Sequence, residues 1–361
     1  MTQKKLILFI PSIEGGGVEK NFFIISNFLA SKIDKTFLIT AEKNLVKKLA
    51  NIEIIYPKSN FWRKKGRFRK YIICIFLLIK TLIKKRISLV FSFQANLYAI
   101  LICRLFGTKI ISRSNSSPSG WSNNFIKRVI YKIGLNLANI IVVNSIEFKN
   151  EMRKKFSVNP IHIYNPLNKK EILKLSKKKV KNLYPKNVLK IINVGRLVDQ
   201  KDQLTILKAV NEIKNLYKFK LILIGRGVNL KRIKEYIKIK KLSNQVKVFY
   251  TSNPMPYIKQ ADIFILSSKY EGLPNVLLES IALNKMIISS DCPTGPKEIL
   301  LKGKAGLLFK VGKYKELSKK IIFYINNKKE CKKMLNIANK KIYRFDYKIN
   351  LKKYLNLVKK I

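Results

Sequence analysis

Two carboxylates and two cations stand at the ends of apolar runs in the second half of this sequence. In SSKYEGLPNVLLESIA, residues 267–282, Glu271 precedes a Gly-Leu-Pro turn and Glu279 lies inside the apolar run that follows. Pro274 suits the first turn of a helix, where its missing N–H costs nothing. The backbone N–H groups near that turn, from Gly272 and Leu273 to Asn275 and Val276, then lack intrahelical acceptors. They are able to receive phosphate oxygens or sugar hydroxyls. Glu279 falls about one and a half turns inside the helix. Its neighbours Leu277, Leu278, Ile281 and Ala282 are apolar, which argues against a solvated helix face. A carboxylate in such company needs hydroxyl or N–H partners.

NVGRLVDQKD, residues 193–202, sets Arg196 and Lys201 just beyond Gly195, which ends an apolar run. A guanidinium fork beside an ammonium is a way to hold a diphosphate. With 75 Lys and Arg in the chain, the position after a strand-ending glycine carries the inference, not the charge itself. A third candidate is GGGVEKN, residues 15–21, directly after the first apolar run. There Gly16 and Gly17 let the backbone approach a ligand ahead of a helix start; a tight strand-to-helix turn accounts for the same glycines. The spacing differs from the G-x-G-x-x-G dinucleotide fingerprint.

The elements that must position these residues alternate. LILFIPS, KTFLIT, NIEIIY, SLVFSF, TKIISRS and NIIVVNS read as strands with helical segments between several of them. They are near-continuous in apolar residues, as parallel strands covered on both faces are. The pattern restarts with LKIINVG, FKLILIG, VKVFY, ADIFILS, KMIISS and AGLLFKV, with helices near 202–217, 229–241 and 275–284. The fold class expected is α/β, two doubly wound Rossmann-like domains. A Lys-rich, apolar-poor stretch at 169–187 marks the boundary: domains 1–168 and 169–345, then a last helix over 346–361. A chain of 361 residues with 47% hydrophobic content supports two such cores. Ligands of these sheets bind beyond the carboxyl ends of the strands, where all three candidate segments fall.

In this order and spacing the segments resemble the retaining GT-B glycosyltransferases of family four. The resemblance rests on the glycine turn after the first strand, G-R-x-x-x-x-K at 195–201, G-x-G at 225–227 and E-G-x-P-N-x-x-x-E at 271–279. DCPTGPKEIL (291–300) and GKAGLLFKVG (303–312) also look like family segments, and the two glutamates match the E-x7-E motif. It covers essentially the whole chain and is strongest over 190–312. It implies a nucleotide-diphosphate sugar, UDP-linked, held between two Rossmann-like domains, and transfer to a surface glycan or lipid-linked oligosaccharide. Arg196 and Lys201 would clamp the diphosphate, and Glu279 would bond the ribose hydroxyls. Glu271 and the N–H groups after it would hold the donor sugar. Gly225, Gly227 and the stretch 250–252 would flank the base, and Gly16 and Gly17 would approach the phosphates. The last helix would pack back toward the first domain. No cofactor and no metal are expected, and no metal-ligand cluster is visible in the sequence. Many relatives carry a first-domain histidine near the donor sugar; here Gln94, Asn96, Arg113 and Asn115 stand in that region. The single histidine, His162, reads as a strand or loop residue.

The charge of +55 calls for a partner or a compositional cause, and the excess of Lys beside much Ile and Asn fits AT-rich coding. The segment 61–86, FWRKKGRFRKYIICIFLLIKTLIKKR, holds ten Lys or Arg and no acid, and suits an anionic membrane surface. An ordinary helix covering the sheet has the same pattern. A nucleic-acid partner is not expected, since no recognised binding motif is present. Four widely spaced cysteines read as free thiols of a reducing compartment. The run LILFI is too short for a signal peptide core, and no segment is long enough to span a bilayer. The expected location is cytoplasmic, peripheral on the cytoplasmic face of a membrane. Two other readings share these residues: another nucleotide-sugar enzyme such as a UDP-sugar epimerase, and a basic protein that only binds nucleic acid or membrane.

Overall fold

In the first strand, Leu6 and Leu8 enter one buried cluster while Ile7 and Phe9 enter another. Successive side chains of a strand point to opposite faces. A strand apolar at every position is therefore one with a helical layer on each side. The computed structural model describes all residues except 1–3, 14–15, 43–48, 60, 63–65, 116 and 119–123. The chain forms two units, Met1–Pro166 with Tyr347–Ile361, and Leu167–Asp346.

The first unit holds β1 (Lys5–Phe9), β2 (Lys35–Ile39), β3 (Glu53–Ile55), β4 (Leu89–Ser92), β5 (Lys109–Arg113), β6 (Ile140–Val143) and β7 (Ile161–His162). They pair in parallel in the order β3-β2-β1-β4-β5-β6-β7. One face is covered by α1 (Gly17–Ala30) and by the helix Tyr347–Lys360, through Phe22, Ile25, Leu351 and Tyr354. The other is covered by α2 (Arg67–Lys84), α3 (Asn96–Leu105), α4 (Phe125–Asn136) and α5 (Ile146–Phe156), through Leu78, Cys103, Leu135 and Met152.

The second unit holds β8 (Leu189–Val194), β9 (Phe219–Ile224), β10 (Val246–Phe249), β11 (Ile263–Leu266), β12 (Met286–Ser290) and β13 (Leu307–Phe309). Their order is β10-β9-β8-β11-β12-β13, again parallel. Its helices include α6 (Lys169–Ser176), α7 (Gln203–Ile213), α8 (Leu230–Ile239), α9 (Met255–Gln260) and α10 (Asn275–Ala282). Both sheets are the doubly wound α/β sheets that the alternation of elements implies.

The Lys-rich stretch 169–187 is not a linker throughout, because its first half is α6. Asn168 caps that helix by accepting from the Glu171 N–H at 3.2 Å, and Ile172 is buried. A short amphipathic helix with few apolar residues has the composition of a linker, and the unit boundary falls at 166/167, two residues before the expected one. The second unit begins at Leu167, whose N–H donates to the Phe345 carbonyl at 2.8 Å and which bridges Asp346 in parallel. That contact also sets the second unit's end one residue later than 345.

The order of each sheet reverses once, between β1 and β4 and between β8 and β11. At such a point two neighbouring strands send their connections to opposite faces, opening a crevice at their carboxyl ends. The loops after β8 and β9 meet closely there. A Cβ on Gly225 would stand 1.9 Å from the Gly195 carbonyl oxygen, and one on Gly227 2.3 Å from that of Leu197. A Cβ on Gly195 would meet only Lys201 methylenes, at 3.8 Å. Gly225→Ala is therefore expected to cost about 1–3 kcal/mol in a urea titration, and Gly195→Ala to stay within about 0.5 kcal/mol of the parent.

Candidate active site

β8 ends one residue before Gly195, whose N–H donates to Ile224 at 3.0 Å. The loop then carries Arg196 to Lys201, and Asp202, in the left-handed region at φ 45°, turns the chain into α7. Serine at the end of the neighbouring strand fixes this loop. The Ser267 hydroxyl lies 2.9 Å from the Lys201 carbonyl and 2.8 Å from that of Asp202. Gln200 stitches the two loops in both directions: its carbonyl accepts from Lys269 N–H at 2.8 Å, and its amide donates to the Tyr270 carbonyl at 3.0 Å.

This stitching brings the Lys201 ammonium to 2.5 Å from Oε1 of Glu271. The Ser268 hydroxyl donates to the same oxygen at 2.6 Å. Both donors converge on Oε1, so Oε2 remains able to accept from a ligand hydroxyl. The backbone of Glu271 is held from a third strand end: Thr294 Oγ1 donates to its carbonyl at 2.7 Å, and Ser290 Oγ to the Ser268 carbonyl at 2.7 Å. Gly295, at φ +89°, lets that segment come against Gly272, where a Cβ would stand 2.1 Å from the carbonyl oxygen. Cys292 is buried beside this group; burial first, then the Glu271 charge, push its thiol up to about 12.

Glu279 is 6% exposed, on the α10 turn whose neighbours Leu278, Ile281 and Ala282 are also buried. The apolar company seen in the sequence is thus burial and not a solvated face. Pro274 stands one residue before the helix, as its N-cap in extended conformation, not in the first turn. Gly272 and Leu273 are buried, while Asn275 and Val276, the first two residues of α10, are half-buried. Arg196 is exposed and donates to Gln200 Oε1 at 3.3 Å. The structure therefore brings Lys201 and Glu271 into direct contact and sets Arg196 on the same loop as Lys201.

The glycines have packing and capping roles of their own. Gly225 and Gly227 owe their lack of a side chain to packing against Gly195 and Leu197, and the Gly225 N–H is used by the Phe249 carbonyl at 2.9 Å. Arg226, between them, lies over the exposed ring of Tyr250, 4.7 Å from its centroid. In the first unit Gly16 does not offer a free N–H: Glu19 Oε2 accepts from it at 2.9 Å. A carboxylate one turn into α1 satisfies an orphan donor and meets the positive end of the helix dipole, the seat expected for a phosphate. Gly17 is the exposed first residue of α1. Gly15 lies outside the described residues.

The polar residues at the first unit's strand ends form one network. Arg113 is fully buried, with Nε donating to Tyr354 Oη at 2.9 Å and Nη2 to Asn165 Oδ1 at 2.7 Å. Its Nη1 donates to Asn115 Oδ1. Asn96 donates to the Arg113 carbonyl at 3.0 Å, and Gln94 Oε1 accepts from the Ser12 N–H at 3.1 Å. The partners of this guanidinium are all neutral, and two of them, Asn165 and Tyr354, escape sequence reasoning because they are remote in the chain. Ser268 and Gln200 were missed as well. Their one signal is polarity directly after strands otherwise apolar. His162 is the last residue of β7. Among the described residues no group of three or more His, Cys, Asp or Glu could hold a metal ion, and no helix is long and apolar enough to cross a membrane.

The model of the family "Glycosyl transferases group 1" matches residues 176–341, nearly the whole second unit. The second unit carries the group 1 glycosyl transferase domain. The chain is 24% identical over 360 residues to a Campylobacter jejuni N-acetylgalactosamine-N,N'-diacetylbacillosaminyl-diphospho-undecaprenol 4-alpha-N-acetylgalactosaminyltransferase, covering 95% of this chain and 96% of that one. It is 31% identical over 218 residues to an uncharacterized glycosyltransferase of Methanocaldococcus jannaschii, covering 56% of this chain but only 53% of that relative. Among solved structures, a Rickettsia africae glycosyltransferase superposes with a TM-score of 0.81 at 20% identity, covering 100% of this chain and 99% of that one. Anabaena HepE in complex with UDP and glucose gives 0.81 at 16% identity, covering 99% of this chain and 100% of that one. The fold is GT-B.

Lys201→Ala strands the buried Glu271 carboxylate with Ser268 as its remaining side-chain donor. A loss of about 3 kcal/mol in unfolding free energy is expected. Lys201→Ala with Glu271→Gln is expected to recover part of that loss, read from urea titrations of the parent, both single variants and the pair.

Proposed function

We propose that this protein is a retaining glycosyltransferase of family four that moves a sugar from a UDP-sugar to a growing surface glycan on a lipid-linked acceptor. The observation that carries the reading is the contact of Lys201 with Glu271 at the reversal point of the second sheet, with Arg196 on the same loop. Cations fixed at strand ends stabilise charge that builds on a leaving diphosphate, and they gain most in the transition state. Glu271, already anchored through Oε1, presents Oε2 to a donor-sugar hydroxyl beside the start of α10. Glu279 takes the ribose hydroxyls; a buried carboxylate that accepts hydroxyl donors is repaid for its desolvation. In the transfer, the bond from the anomeric carbon to phosphate oxygen breaks and a bond to the acceptor oxygen forms on the same face. The acceptor's proton passes to the leaving diphosphate, so no protein base is required, in keeping with a first unit whose strand ends carry amides and Arg113.

UDP in the Anabaena HepE complexes supports the choice of base. The diphospho-undecaprenol in the names of two Campylobacter relatives supports the lipid-linked acceptor. The proposed location is the cytoplasmic face of the membrane that holds such an acceptor, and the proposed reaction uses no resident metal.

Glu279→Ala is expected to lower kcat/KM for the UDP-sugar by about 10- to 100-fold, the loss of one or two hydrogen bonds to a charged group. It should also abolish the thermal shift given by UDP while keeping the circular dichroism spectrum. Unchanged turnover would sink the reading, and a new epimer formed from the UDP-sugar without acceptor would favour an epimerase. EDTA is expected to leave turnover unchanged; loss restored by a divalent ion would assign the diphosphate to a metal instead of Lys201 and Arg196.

A further inference from the structure

From residue 54 to residue 146 the chain contains 17 Lys or Arg and no Asp or Glu. This acid-free stretch supplies α2, α3 and α4, three of the four helices on one face of the first sheet; the fourth, α5, carries Glu147 and Glu151. Their inward sides bury Leu78, Cys103 and Leu135 against that sheet, as ordinary covering helices do. The outward side of α4 is different. Ile126, Val129, Ile130 and Ile133 recur at helical spacing and are exposed, Ile126 and Ile133 by 65% and 62%. On α3, Leu101 and Leu105 are exposed as well, Leu105 by 84%. The two helices lie against each other so closely that a Cβ on Gly134 of α4 would stand 2.7 Å from Leu97 of α3. The two helices thus lie side by side on this face, each with exposed apolar residues. Lys127 and Lys132 flank the row on α4, and Arg104 lies on α3.

We propose that this α3–α4 face docks on an anionic lipid bilayer, with the α4 isoleucines entering the headgroup boundary and the flanking cations on lipid phosphates. An apolar row this size is costly to leave in water, and cations without a single acid among them match a negatively charged surface. A second copy of the chain is a poor occupant, since the cations of two like faces repel. A nucleic-acid backbone has no use for the isoleucines. The docking row lies outside the segment 61–86 that the sequence singled out; within that segment residues 63–65 lie outside the described residues. The surface carries this inference by itself, and the vesicle test needs neither donor nor acceptor, so its failure leaves the transferase reading standing.

The test is co-sedimentation of the purified chain with phosphatidylglycerol/phosphatidylcholine vesicles and with phosphatidylcholine alone. The parent should pellet with the anionic vesicles and remain in solution with the neutral ones. Ile126→Asp with Ile130→Asp replaces two exposed side chains, so its melting curve should match the parent's. Its vesicle affinity is expected to fall at least about tenfold at low salt. Equal pelleting of variant and parent, or no pelleting of the parent, would overturn the proposal. So would a vesicle-free dimer by light scattering that the variant converts to monomer, because the row would then be covered by a second copy.

Discussion

The second unit depends on one constraint: a lysine 70 residues away in sequence must donate to one carboxylate oxygen of a glutamate at the mouth of a parallel sheet. Neither side chain does this unaided. Adjacent strands bring their loops together, Ser267 fixes the backbone that carries Lys201, Gln200 ties that loop to the next, and Thr294 holds the carbonyl of Glu271. The pair is poorly solvated, so its attraction is only modestly screened, while its desolvation has already been met by Ser268 and by the partner charge. An arriving polyanion finds an ammonium whose position is set in advance, with little reorganisation left to undergo.

The same economy appears in the glycines. Gly225, Gly227 and Gly295 do not loosen the loops; they let backbones pass at distances that a methyl group would forbid. The strand-end crevice is thus shaped by main chain packed on main chain, with side chains such as Arg226 and Tyr250 standing at its margin.

Strand identity and sheet type were legible because apolar runs without polar alternation have one stable arrangement, between two helical layers. Lys201 and Glu271 stood out for a related reason, charge placed just beyond strands, and the structure puts them in contact. What escaped was set by contacts between remote residues. Asn165 and Tyr354 reach Arg113 only through the fold, and Glu19 turns back on Gly16 in a capping box that looked, as GGGVE, like an open phosphate seat. The start of 169–187 read as a linker because α6 draws its order from Ile172 and a cap, too few residues to mark a composition.

The link from Arg113 to Tyr354 spans 241 positions, and Leu351, Tyr354 and Val358 complete the apolar layer over one face of the first sheet. A ribosome delivers that sheet long before the helix that closes it. The second unit, by contrast, is continuous from Leu167 to Asp346. Emerging chains fold largely in the order they appear, but here the earlier-made unit must wait, its greasy face uncovered, until the later one has been finished. Chaperone demand during synthesis is therefore written into the topology, and it falls on the half made first.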